Sequence, residues 1–122
     1  MRKRTFAVTS AMSIDQIEKP AGGGIYFVTA EPAGRVIYIG QSSNFERRGF
    51  RQHHKRSNWQ QSCGPDERPA IRFATVQPAL SRHQLRDVEA NLIRGAKPPC
   101  NEQHTRGEQL KLHMIEVNNE HR

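Results

Sequence analysis

Cysteine is scarce in this chain, with only Cys63 and Cys100 among 122 residues. Two such thiols make no disulfide framework, and with His53 and His54 they follow no zinc-finger spacing. A reduced, cytoplasmic protein is the expectation. Long apolar runs are missing as well, since no stretch approaches the roughly 20 residues of a membrane span. The start, Met1-Arg2-Lys3-Arg4, is charged like the beginning of a signal peptide. Thr5 to Ile14 is too polar to be the apolar core of one. Acid is the third shortage: 12 Asp+Glu stand against 19 Lys+Arg, a net charge of +7. A pI of about 10.1 suits a polyanionic partner.

The positive charge is unevenly placed. Between Arg35 and Arg56 lie six basic residues (Arg35, Arg47, Arg48, Arg51, Lys55, Arg56) and one acid, Glu46, a local +5. The tail from Glu102 has three basic and four acidic residues, a local −1. This asymmetry predicts a nucleic-acid face with Arg47, Arg51, Lys55 and Arg56 as phosphate contacts, and a solvated helix face is the plain alternative. A chain of this length holds one domain. Residues 1–21 lack periodicity, end in Pro20-Ala21-Gly22-Gly23-Gly24 and read as a flexible basic arm. The core then spans 22–103. In the tail, 104–122, Leu110 to Val117 predicts a short helix that packs over an apolar gap or joins two chains.

Ile25-Tyr26-Phe27-Val28-Thr29 and Val36-Ile37-Tyr38-Ile39 are rich in aromatic and β-branched residues, with Glu31-Pro32-Ala33-Gly34 between them. They predict a hairpin. Strand side chains alternate faces, so a suitable register brings Tyr26 and Tyr38 together. Ala70 to Val76 alternates and predicts a third strand. Ser42 to Arg56 predicts a helix capped by Ser42, Ser43 or Asn44. Arg48, Arg51 and Lys55 would share one face of it, and Gly49 would weaken it by about 1 kcal/mol. Asn58 to Pro69 reads as a polar loop whose Trp59 packs on the core, with stacking on a base as the alternative. Ser81 to Gly95 predicts a second helix, capped by Ser81 and terminated by Gly95, with Pro98-Pro99 preventing continuation. The expected class is α/β (α+β), a small three-stranded, mainly antiparallel sheet flanked by helices.

The second helix carries an anomaly. Leu85, Val88, Leu92, Ile93 and Ala96 form an apolar stripe, and Glu89 lies within it. A carboxylate on an inward face costs several kcal/mol unless it is paired, protonated or bound to a cation. The alternatives are an edge position reaching solvent, a pair with Arg82 or Arg86, or a metal. Mg²⁺ keeps several of its waters and often binds through one or two carboxylates plus substrate phosphates. The lack of an acidic cluster elsewhere argues against two-metal chemistry.

Gly24-Ile25-Tyr26, eleven further residues, then Tyr38-Ile39-Gly40 resemble the signature of the GIY-YIG nuclease superfamily. The similarity continues through Arg48, through Glu89 in Asp87-Val88-Glu89-Ala90-Asn91, and through Pro98-Pro99-Cys100-Asn101, so it covers roughly residues 22–103. Gln41 departs from the lysine that many members carry there. Gly49 would displace the family's histidine onto His53 or His54. The resemblance implies a metal-dependent DNA endonuclease using Mg²⁺ or Mn²⁺ on Glu89. Arg48 would hold the scissile phosphate, Tyr26 would take the proton from water, and Tyr38 would orient water or phosphate. His53 or His54 would relay the proton, while Gly24, Gly40 and Asn101 would serve the architecture. No room remains for a separate recognition domain. Weak sequence specificity, branched or damaged DNA, or a partner protein supplying specificity is therefore expected, for a monomer or weak homodimer. A non-catalytic nucleic-acid-binding module is the alternative. No RRM, KH or double-stranded RNA signature is present.

Overall fold

Period-two alternation sorts the side chains of Gly24–Glu31 between two faces. Tyr26, Val28 and Ala30 enter one apolar cluster, and Ile25 and Phe27 join another. The computed structural model describes residues 5–50 and 53–101. Its strands are β1 (Thr5–Val8), β2 (Met12–Ser13), β3 (Gly24–Glu31), β4 (Arg35–Ser42) and β5 (Arg68–Gln77), and its helices are α1 (Arg56–Ser62) and α2 (Arg82–Ala96). All pairings are antiparallel, in the order β1-β5-β3-β4, with β2 also on β5. The mixed α/β class and the hairpin stand as expected.

Among the described residues the sheet has five strands, not three. The additional two come from the segment read as an arm, where Thr5–Val8 pairs with Gln77–Ala74 and Met12–Ser13 with Ile71–Ala70. Without them the far edge of the ten-residue β5 would leave backbone donors and acceptors unpaired. Runs of four and two residues are too short for their period to be read in sequence.

The helix expected over Ser42–Arg56 does not form in its described part. Residues 44–48 make turns, with the Arg47 N–H on Asn44 O and the Arg48 N–H on Phe45 O. Phe45 and Phe50 are both buried in the same cluster. Five residues apart on a helix they would diverge by about 140°, so the chain bends to bury both. The helix comes later, as α1, in what reads as a polar loop, and it buries Trp59 completely. Trp59 thus packs on the core. The second helix starts as expected, with Ser81 and Gln84 forming a reciprocal capping box. It runs through Gly95 and ends at Lys97 in the left-handed conformation, immediately before Pro98, so proline rather than glycine sets its end. Arg51 and the expected helix over Leu110–Val117 lie outside the described residues.

After α2 the chain turns under the sheet and returns to its β4 edge. The Ile39 N–H donates to Asn101 Oδ1 at 2.8 Å, and Asn101 Nδ2 donates to Ile39 O at 3.0 Å. Asn101 thereby satisfies both polar groups of one edge residue. Asn101→Ala should lower the unfolding free energy by about 2 kcal/mol, the cost of leaving such groups without their protein partner. Urea titration measures it, and a loss below about 0.5 kcal/mol would remove this clamp from the account.

Candidate active site

The hairpin register sets two phenols side by side. Tyr26 is opposite Gly40 and Val28 is opposite Tyr38, so the tyrosines are diagonal neighbours on one face, with ring centroids 6.1 Å apart. Gly40 is required by a side chain rather than by backbone approach. A Cβ there would fall on Cζ and Oη of Tyr26, with Cε2 at 2.7 Å. At Gly24 the approach is to backbone, because a Cβ would overlap the Ala74 carbonyl.

The bent segment after β4 delivers the other groups. Its anchors, Phe45 and Phe50, hold Arg48 between them, and Phe50 meets the Tyr26 ring edge-on at 4.9 Å. Lys19 grips this segment from outside, donating from Nζ to Glu46 O at 3.2 Å and Arg48 O at 2.8 Å. Its ammonium also lies 5.9 Å from the Phe50 ring centre. Nothing in the sequence around Lys19 signals that role, because the contact joins residues 27 and 29 positions apart.

His53 is the hub, buried at 6 % exposure. Its Nε2 lies 2.9 Å from Tyr26 Oη and 2.9 Å from Arg48 Nη2. The Lys55 N–H donates to Nδ1 at 3.0 Å. Trp59 lies against the imidazole at 4.6 Å, and His54 stacks on it at 4.5 Å. Burial first, then the charges of Arg48, His54 and Lys55, pull the His53 pKa down to about 4. At neutral pH the ring is therefore uncharged.

Burial raises the Tyr26 phenol above its ordinary pKa. Opposing this are the hydrogen bond and charge of Arg48 and a hydrogen bond from Tyr38, while Glu89 adds to the rise. The Arg48 and Tyr38 hydrogen bonds pull toward the phenolate, but burial outweighs them and the phenol stays above its ordinary value. Tyr38 goes higher still, through burial and then the nearby Tyr26 and Glu89 charges. The Glu89 charge is thus felt at both phenols, although Glu89 stands on α2.

Glu89 is half-buried, and burial lifts its carboxyl above the usual carboxylate range despite the opposing charge of Arg86. No ion pair among the described residues includes it. A half-buried carboxylate whose charge reaches two phenols fits a hydrated divalent cation better than a closed cage. Among the described residues no three His, Cys, Asp or Glu side chains group as a ligand set. Arg48 Nε is buried without a hydrogen-bond partner among the described residues, so the guanidinium holds an unused donor.

The basic residues expected to meet phosphate are dispersed. Arg47 is exposed, but Lys55 is buried at 9 % exposure. Arg56 reaches Asp15 at 3.4 Å. Arg35, which added to the basic count, pairs with Glu67 at 2.7 Å. The shared helical face is not seen for Arg48 and Lys55, because the helix does not form in its described part.

No family model, curated protein or solved structure matches the chain. No helix among the described residues is long and apolar enough to cross a membrane.

The low His53 pKa has a pH consequence. The folded value lies below the ordinary 6.5, so the unfolded chain binds the proton more tightly. The contribution is full above pH 6.5 and is lost as pH falls through about 4. Its ceiling is about 3 kcal/mol. A proton-NMR titration of the imidazole should give a midpoint near 4, and a midpoint near 6.5 would contradict the buried hub.

Proposed function

We propose that this protein is a metal-dependent endonuclease of the GIY-YIG type, hydrolysing DNA phosphodiester bonds with Tyr26, Tyr38, Arg48, His53 and Glu89. The observation that carries the reading is the meeting of Tyr26 Oη and Arg48 Nη2 at one imidazole nitrogen, each at 2.9 Å, within reach of the Glu89 charge. A core could hold two tyrosines for packing alone. A half-buried guanidinium whose Nε is enclosed without a partner among the described residues and a half-buried carboxylate have no such purpose, because each costs free energy to bury.

The chemistry follows from the groups. Arg48 carries a permanent charge and a planar fork that matches two phosphate oxygens. Tyr26 accepts the proton of the attacking water as a phenolate, which Arg48 and the Tyr38 hydroxyl stabilise against the burial that raises its pKa. Charge neutrality at His53 leaves Arg48 free to answer the phosphate rather than a second cation. Tyr38 holds the water in line. Glu89 would hold a Mg²⁺ or Mn²⁺ ion, which when bound supplies positive charge to the phosphate and the departing 3′ oxygen. The Phe50 ring against Tyr26 and the Trp59 ring against His53 limit screening by water at these two groups.

The proposed target is DNA of unusual shape, recognised through backbone contacts by this chain alone or with a protein partner. The test is cleavage of labelled duplex, nicked, flap and four-way-junction DNA with Mg²⁺ or Mn²⁺, with and without chelator. Chelator-sensitive cutting is expected, strongest on a branched or nicked form. Salt-sensitive binding with no cutting of any form would instead identify a non-catalytic DNA-binding module.

A further inference from the structure

One face of the sheet is only half covered. The helix α2 packs on β4 and β3, and its Leu85 closes the cluster of Ile25, Ile39 and Ala74. A helix is about 10 Å across and strands are about 4.8 Å apart, so one helix covers about two strands of four. The least covered part lies along β1, beside the already buried Ala74 and Val76 of β5. There Phe6, Val8, Ala74, Val76 and Leu92 line an apolar groove of about 270 Å³. Phe6 is 62 % exposed, Val8 60 % and Leu92 36 %, the large hydrophobics most open to solvent among the described residues.

We propose that the groove is filled by this chain's own segment Leu110–Val117, which completes the layer that α2 begins. Three observations single out this occupant. The segment is apolar at Leu110, Leu112, Met114, Ile115 and Val117, and Leu110, Met114 and Val117 fall at i, i+4 and i+7, one stripe at helical spacing. The described chain reaches Asn101, held on Ile39 of β4. From there residues 102–109 span up to about 27 Å when extended, and the sheet from β4 to β1 is about 14 Å wide. A tether of that length also gives an effective concentration in the millimolar range. It therefore outcompetes a second copy at micromolar protein. The groove's lining is almost wholly apolar, so the gain comes from covering Phe6 and Val8 and scales with apolar area removed from water. Closing the groove would also protect β1, the short strand at the end of the sheet.

The test is made on the full chain and does not depend on any nuclease activity. Methyl NOE spectra should show the Met114 methyl against Val8 and Leu92 within one molecule, with light scattering giving a monomer. Leu110→Ser/Met114→Ser should raise fluorescence of an apolar-surface dye severalfold and speed amide exchange in Thr5–Val8 about tenfold, with the β3–β4 hairpin still protected. Wild-type exchange in β1 equal to that of the variant, with no such NOEs, would overturn the proposal. So would contacts seen only between differently labelled chains in a dimer, which would make a second copy the occupant.

Discussion

Tyr26→Phe is expected to leave the fold intact and to slow DNA cleavage by about 10²- to 10⁴-fold, the contribution typical of a positioned proton acceptor. The ring stays wedged between Phe50 and Gly40, and only the oxygen on which His53, Arg48 and Tyr38 converge is lost. Tyr38→Phe removes one of the hydrogen bonds to that oxygen and should cost less. Binding of uncut DNA should be unchanged in Tyr26→Phe, because no phosphate contact is removed. Single-turnover cleavage beside a binding isotherm separates the two effects. A rate within threefold of wild type would take Tyr26 out of the chemistry and leave Tyr38 or a histidine to accept the proton.

Gly40→Ala carries the second large expectation, and here both stability and turnover should fall. The added carbon lands on the Tyr26 ring. That ring is 1 % exposed and held by Phe50 and His53, so it cannot swing out. Overpacking of this kind costs about 1–3 kcal/mol, and the displaced hydroxyl loses its distance to His53. Gly95→Ala is the control. Nothing lies within 4 Å of a Cβ there and the residue sits inside α2, so alanine should raise stability by up to about 1 kcal/mol. Thermal unfolding of the two variants should therefore move in opposite directions. A Gly40→Ala protein as stable and as active as wild type would mean that the Tyr26 position described here is wrong.

Much of this site was legible because it is local. Period two put Tyr26 and Tyr38 on one face, and the turn at Glu31–Gly34 set the register that made them neighbours. The interruption of an apolar helical stripe pointed to Glu89. What stayed hidden depends on contacts across the chain. The segment after β4 is written with a helix's caps and charges, and it bends because Phe45 and Phe50 must enter one core. His53 acquired its partners from that bend, and Lys55 was carried inside with it. The two short edge strands follow from the unpaired side of β5, which no local window contains. Lys19 is the extreme case, a lysine in an irregular lead-in that fastens the arginine segment by two carbonyls.

The central claim is that Glu89, Arg48 and the two phenols act together on a phosphodiester bond. The most direct measurement is single-turnover cleavage of a labelled four-way junction and its nicked counterpart by wild type and Glu89→Ala, at saturating Mg²⁺. The account predicts cutting by wild type that chelator abolishes, a loss of at least about 10²-fold in the variant, and equal DNA binding by both. Equal cutting by the two proteins, or none by either while both bind, would contradict it.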